Sequence, residues 1–246
     1  MKALILAGGY ATRLYPLTQN QAKPLIKVAD QPIVSHIMKK IEKVKEIDEV
    51  YVVTNNRFYP DFELWAKNNK FSKKIKVIND GTKSNETRLG AVGDLHFVLK
   101  KENISDDLLI IAGDNLFGFE LRDFVDFFKE RKSSTVAFYD MKDIDKVRGK
   151  YGVGILDGSR VIGFEEKPLD PKSALASTAC YLLTAKDLLR VGKYVEQGKV
   201  DHPGDLIKYL AKESEMHGFV FTEHWYDIGS FEALKEAEKE YGQIKR

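Results

Sequence analysis

Near the start of the chain, two glycines, an arginine and a lysine are spaced for holding phosphate. Residues 3–7 form an apolar run that reads as a short buried strand and includes Leu6 and Ala7. The run breaks into Gly8-Gly9, where the backbone turns tightly and can bring its N–H groups close to an anion. Arg13 then supplies a fixed planar cation and Lys23 a mobile one. Glycine turn, guanidinium and ammonium close behind a first strand are equipment for a polyphosphate. It is not a P-loop, because Gly-x-x-x-x-Gly-Lys-Ser/Thr occurs nowhere in the chain.

Three further clusters carry chemistry. Gly113-Asp114-Asn115 ends the apolar run 108–112. Taken alone, Asp-Asn is a turn former, yet an acid at the carboxyl end of a central strand is well placed to hold Mg²⁺ through carboxylate and phosphate oxygens. Glu165-Glu166-Lys167-Pro168 sets acid beside base, and Trp225-Tyr226-Asp227-Ile228-Gly229 puts a second aspartate ahead of a helix that Ser230 can cap. The polar stretch 79–90 is longer than a plain connection needs. Two readings stay open there: a surface loop capped by Ser84 or Asn85, or a segment whose amides and Arg88 meet a nucleobase or phosphates. The five histidines lie far apart in sequence, which argues against a zinc site.

The elements that must position these groups follow from periodicity. Strands are expected at 50–54, 75–78, 108–112 and 135–139, and helices over 31–44, 58–69 and 123–131, in the alternating rhythm of parallel βαβ units. Such sheets bind ligands beyond the carboxyl ends of their strands, where the glycine turn lies. After residue 140 the rhythm changes. Residues 151–155 and 160–165 read as a hairpin turning at Asp157-Gly158, 175–183 and 217–221 as strands, and 185–195, 205–213 and 231–241 as helices, with a loop over 198–204.

Composition narrows the class. The chain has 246 residues, with Lys+Arg 39 against Asp+Glu 37 and no basic block; this gives no reason to expect a nucleic-acid or anionic-membrane partner. Cys180 is the only cysteine, so no intramolecular disulfide can form. Neither a signal-peptide core nor an apolar run of membrane-spanning length occurs, and a soluble cytoplasmic protein is expected. One continuous domain, 1–246, is expected.

Read as a whole, Gly8-Gly9-Tyr10-Ala11-Thr12-Arg13, Pro16, Thr18 and Lys23-Pro24-Leu25 resemble the signature of the nucleoside-triphosphate:sugar-1-phosphate nucleotidyltransferases, in particular short members of the glucose-1-phosphate thymidylyltransferase type. Gly113-Asp114-Asn115, Glu166-Lys167-Pro168 and Trp225-x-Asp227-x-Gly229 match later motifs of that family in order. The resemblance implies a three-layer α/β/α sandwich with a Rossmann-like, mostly parallel mixed sheet. Residues 1–140 would bind nucleotide, and a hairpin-rich half, 141–246, would bind the sugar phosphate. It implies nucleotide contacts from Leu6, Ala7, Gly8, Gly9, Thr12, Arg13, Lys23, Asn85, Arg88 and Gly90, and substrate contacts from Asn115, Gly152, Glu166, Lys167 and Thr178. Catalysis would fall to Arg13, Lys23 and Asp114, with Mg²⁺ between Asp114 and Asp227.

The implied reaction joins a nucleoside triphosphate to a sugar 1-phosphate, with a thymine or uracil base and a hexose expected. The same chemistry with CTP or GTP on a heptose phosphate, inositol phosphate or phosphocholine is the alternative, and a non-catalytic nucleotide-sugar sensor or scaffold ranks behind both. A monomer or homodimer is expected. Two departures stand out: Ala11 and Ala179 replace family glycines, which calls the loop geometry and the sugar contact into question.

Overall fold

The computed structural model describes residues 1–198 and 201–244. The expected loop over 198–204 is therefore described except at positions 199 and 200, which lie outside those residues. The first half runs β1 (Lys2–Ala7), β2 (Lys27–Val28), β3 (Gln31–Pro32), α1 (Ile33–Glu42), β4 (Glu49–Thr54), α2 (Tyr59–Asn68), β5 (Lys74–Asn79), α3 (Ala91–Lys101), β6 (Leu108–Ala112), β7 (Asn115–Phe117), α4 (Leu121–Arg131) and β8 (Ser134–Asp140). The second half runs β9 (Gly152–Asp157), β10 (Arg160–Glu166), β11 (Leu175–Leu183), α5 (Ala185–Val195), α6 (Pro203–Glu213), β12 (Met216–Phe221), β13 (Trp225–Asp227) and α7 (Phe231–Ile244).

Strand alternation builds the layers. Along β1, Ala3, Ile5 and Ala7 face one apolar cluster and Leu4 the other, as a two-residue period requires. The first cluster takes buried side chains from α1, α2 and α4, among them Ile37, Phe62 and Phe124. The second takes Leu95 of α3, Leu188 of α5 and Ile207 of α6. Helices thus cover both faces of one nine-stranded sheet, ordered β5-β4-β1-β6-β11-β8-β12-β10-β9.

The sheet is mixed rather than mostly parallel. β5, β4, β1 and β6 are parallel neighbours, as is the β8–β12 pair. β11 runs antiparallel between β6 and β8, and β10 pairs antiparallel with β9 and β12. The physical reason is the change of connection: helical crossovers give parallel neighbours, whereas the hairpin at Gly158 returns directly. The register aligns Ala7 with Thr54 and Leu6 with Ala112, so three strand ends open at one edge. β7 and β13, outside the main sheet, pair Asn115 with Asp227. The expected helix at 31–44 starts later, because Gln31-Pro32 pairs with Lys27-Val28 as a short strand. Among the described residues no helix is long and apolar enough to cross a membrane.

Candidate active site

The glycine turn is held from below by the end of β4. Thr54 Oγ1 donates to the Ala7 carbonyl at 3.1 Å, and Asn55 Nδ2 to the Gly8 carbonyl at 3.0 Å. The Asn55 side-chain oxygen also accepts the backbone N–H groups of Arg57 and Phe58, both at 3.1 Å, tying the start of α2 to the same residue. Beyond Gly9 the chain passes through Ala11, at φ 48 and ψ 42, into a short 3₁₀ turn, Thr12–Leu14. Buried Leu14 anchors that turn, leaving Thr12 and Arg13 exposed. The Thr18 hydroxyl donates to the Ala11 carbonyl at 2.7 Å and closes the loop. A second 3₁₀ turn, Lys23–Leu25, brings Lys23 back to the strand ends over buried Pro24. Gly113 must be glycine here, because a Cβ would lie 2.9 Å from the Leu6 carbonyl oxygen and 3.0 Å from Pro24 Cγ.

At the end of β6, Asp114 forms an ion pair with Lys23 and accepts a hydrogen bond from Asn115 Nδ2 at 2.9 Å. Trp225 Nε1 donates to the Asn115 side-chain oxygen at 2.7 Å, and the Ile228 N–H to the Asp114 carbonyl at 3.1 Å. Burial works to raise the Asp114 pKa, but the Lys23 ammonium and hydrogen bonds from a backbone N–H and the Asn115 amide more than offset it, and the carboxyl titrates below its usual range. Burial, then the Asp114 charge, push its neighbour Asp227 up to about 6, against the pull of Lys23, Arg13 and Lys167. Three cations and two carboxylates therefore act on one another at this strand edge. Two carboxylates and no third side-chain ligand suit Mg²⁺, which fills its remaining positions with phosphate oxygens and water; among the described residues no larger acidic or histidine cluster occurs.

A cavity of about 310 Å³ opens above these groups. It is lined by Leu6, Ala7, Gly8, Gly9, Arg13, Lys23, Arg88, Gly90 and Asp114 among the residues singled out in the sequence. Arg88 pairs with Asp201 at 2.8 Å across the cavity and donates to the Asn85 carbonyl at 3.0 Å. Ser84 and Thr87 form a capping box on a 3₁₀ turn, Asn85–Thr87; α3 itself starts after Gly90, at φ 78. Glu166 is half-buried against Phe164 beside Gly152, and a side chain at Gly204, on the first turn of α6, would overlap its carboxylate. Burial raises the Glu166 pKa. Lys167, exposed and at φ 46, is fixed through its N–H to the Tyr151 carbonyl at 3.1 Å.

None of the five residues placed among the substrate contacts, Asn115, Gly152, Glu166, Lys167 and Thr178, lines this cavity, and two of them have their polar atoms committed to the protein itself. Thr178 is buried, with its hydroxyl donating to the Ala137 carbonyl at 2.9 Å, so it secures the β11 bulge. Asn115 is likewise buried, and both ends of its amide are spent on Asp114 and Trp225. The doubt over the two alanines resolves on the backbone: Ala11 and Ala179 (φ 52) adopt the left-handed geometry that glycine favours, at a cost of about 1–2 kcal/mol each. Asp94, Asp201 and Pro203 also line the cavity but were given no site role by the sequence reading. For Asp94 a signal existed: an acid among Val92, Leu95 and Val98 on the buried face of α3.

A family model described as nucleotidyl transferase matches residues 2–244. The chain is 30% identical over 242 residues to the bifunctional protein GlmU of Methanocaldococcus jannaschii, covering 97% of this chain and 54% of that protein. It spans about half the length of such curated relatives. The fold is shared with a Bacillus anthracis protein provisionally named glucose-1-phosphate thymidylyltransferase, solved with sucrose (TM-score 0.86, 24% identity, 99% of this chain and 96% of that one). It is shared too with a UDP-glucose pyrophosphorylase solved with UDP-glucose (TM-score 0.80, 21% identity, 100% and 99% covered). With a family model accounting for almost every residue of a fold shared at this level, the chain belongs to the nucleotidyl transferase family.

Proposed function

We propose that this protein condenses a nucleoside triphosphate with a hexose 1-phosphate, giving a nucleotide sugar and pyrophosphate in a Mg²⁺-dependent reaction. The observation that carries the reading is the Lys23–Asp114 ion pair, with Asp227 close enough to feel both charges, at a cavity lined by the Gly8-Gly9 turn and Arg13. A phosphate oxygen of the sugar phosphate attacks the α-phosphorus. A new P–O bond forms as the bond to the β-phosphate bridging oxygen breaks, and pyrophosphate leaves with that electron pair. The nucleophile is already anionic, so the barrier is electrostatic and catalysis rests on positioning and charge neutralisation.

Each group has a part suited to its place. The Gly8 and Gly9 backbone borders the phosphates, and Arg13 offsets charge growing on the departing pyrophosphate. Lys23 serves the α-phosphate, exchanging Asp114 for a phosphate oxygen, and Lys167 holds the incoming sugar phosphate while Glu166 accepts sugar hydroxyls. Asp114 and Asp227 would hold Mg²⁺, which supplies Lewis-acid charge neutralisation when bound. The presence of Arg13, Lys23, Asp114, Lys167 and Asp227 together weighs against a degenerate, non-catalytic relative.

The test is pyrophosphate release with Mg²⁺, each nucleoside triphosphate against a panel of sugar 1-phosphates and phosphocholine. Release is expected with a hexose 1-phosphate and is abolished by EDTA and restored by Mg²⁺. Nucleotide-sugar binding without release from any pair would overturn the catalytic reading.

A further inference from the structure

Two carboxylates stand where a phosphate site has no use for them. Asp94, in the first turn of α3, is 5% exposed and lines the cavity. A Cβ on Gly8 would overlap Asp94 Oδ2, and the same point lies 3.3 Å from Asp80 Oδ2, so both carboxyl groups flank the glycine turn. The orientation of Asp80 is fixed, because its Oδ1 accepts the Thr82 N–H at 2.6 Å and the Thr82 hydroxyl at 2.7 Å. The remaining oxygens, Asp80 Oδ2 and Asp94 Oδ1, are buried with no donor. Carboxyl groups so placed share one proton. Burial, then the charge of Asp80, push Asp94 up to about 8, in keeping with that arrangement. With the shared hydrogen held between the two carboxyl groups, what an Asp94 oxygen offers the cavity is an acceptor.

Phosphates meet Arg13, Lys23 and the N–H groups of the glycine turn, whereas Asp94 lies on the side of Gly8 where a side chain would project, and a carboxyl pair repels phosphate there. The group that meets Asp94 is therefore the base. Guanine, adenine and cytosine carry an exocyclic amino group that can donate to this oxygen. Uracil and thymine have one donor, the ring N–H, and the carbonyl oxygens on either side of it face the same acceptor unfavourably. Arg88, also lining the cavity, complements an amino-bearing base by donating to its ring nitrogen or carbonyl acceptors.

We propose that Asp94, braced by Asp80, selects a nucleobase bearing an exocyclic amino group and discriminates against uracil and thymine. The inference rests on the nucleotidyl-transfer reading of the cavity. It departs from the thymine or uracil base that the family resemblance implies.

Matched pairs test it without any variant. CTP and UTP differ at position 4, amino against carbonyl, and with it at N3, acceptor against N–H donor; GTP and ITP differ only by the 2-amino group, and ATP and purine riboside triphosphate only by the 6-amino group. Binding is measured by calorimetry with Mg²⁺ and no acceptor. In at least one pair the amino-bearing member is expected to bind tenfold or more tightly, and dTTP to bind no better than UTP. Asp94→Asn, which adds a donor at the same shape, and Asp94→Ala should cut that preference below threefold, with tripolyphosphate binding unchanged. Equal binding within all three pairs, UTP or dTTP binding tightest, or a preference that survives both variants would overturn the proposal. If neither tripolyphosphate nor any nucleotide bound, the nucleotide reading of the cavity would itself fall.

Discussion

The ion pair between Lys23 and Asp114 separates two kinds of charged residue at this site. Lys23 is largely covered and its partner adjoins Asp227, whereas Arg13 is exposed on a short turn whose anchor is Leu14. On the proposed mechanism, Arg13→Ala therefore removes charge stabilisation of the transition state while sparing the core. Turnover should fall at least a hundredfold, about 3–4 kcal/mol, with the melting temperature held within about 2 °C. Lys23→Ala should abolish turnover and also lower the melting temperature, because it strands the Asp114 charge beside a second carboxylate. Steady-state kinetics and calorimetry on both variants check the contrast. Near-normal turnover in Arg13→Ala would remove that residue from the mechanism.

At the scale of elements, the site depends on loops bent where strands end. Ala11 and Ala179, which line the cavity, and Lys167 all take left-handed backbone, at φ 48, 52 and 46. Strain of this kind persists only where surrounding contacts over-determine it; the Thr18 hydroxyl on Ala11 and the Tyr151 carbonyl on Lys167 are such contacts. Ala11→Gly or Ala179→Gly relieves about 1–2 kcal/mol of strain against about 0.5–1 kcal/mol of added chain entropy. Urea unfolding should show stability unchanged or raised by roughly 1 kcal/mol. Gly113→Ala should do the reverse, since its methyl would press on the Leu6 carbonyl oxygen, a backbone atom that cannot swing aside. A stabilised Gly113→Ala protein would mean that the β1 and β6 ends are not held together as described.

The whole molecule carries a pH signature from Asp94. Its folded pKa, about 8, lies above the ordinary 3.8, so the folded state keeps a proton that the unfolded chain has released. Stability from this group is fully present below about pH 4 and is lost as the pH rises toward 8. Asp94→Asn should flatten that decline in urea midpoints measured from pH 5 to 9. An unchanged slope would mean that the carboxyl pair does not share a proton.

Much of the site was legible because its motifs are local. Gly8-Gly9, Arg13 and Lys23 lie within one short stretch, and each later acid sits at a strand end marked by an apolar run or a turn. The backbone left-handedness at positions 11 and 179 was not, because alanine gives no sign of it. Nor were the roles of Asn115 and Thr178, whose polar atoms face inward through the β7–β13 pairing and the β11 bulge. The Asp80–Asp94 pair joins the end of one strand to the start of the next helix across Gly8. By itself, the sequence determined which charged groups are available for the proposed phosphate chemistry and the alternation that buries the strands. Tertiary structure decided which groups touch, the mixed sheet order and the acidic wall of the cavity, because these depend on registers between segments distant along the chain, to which a local pattern is blind.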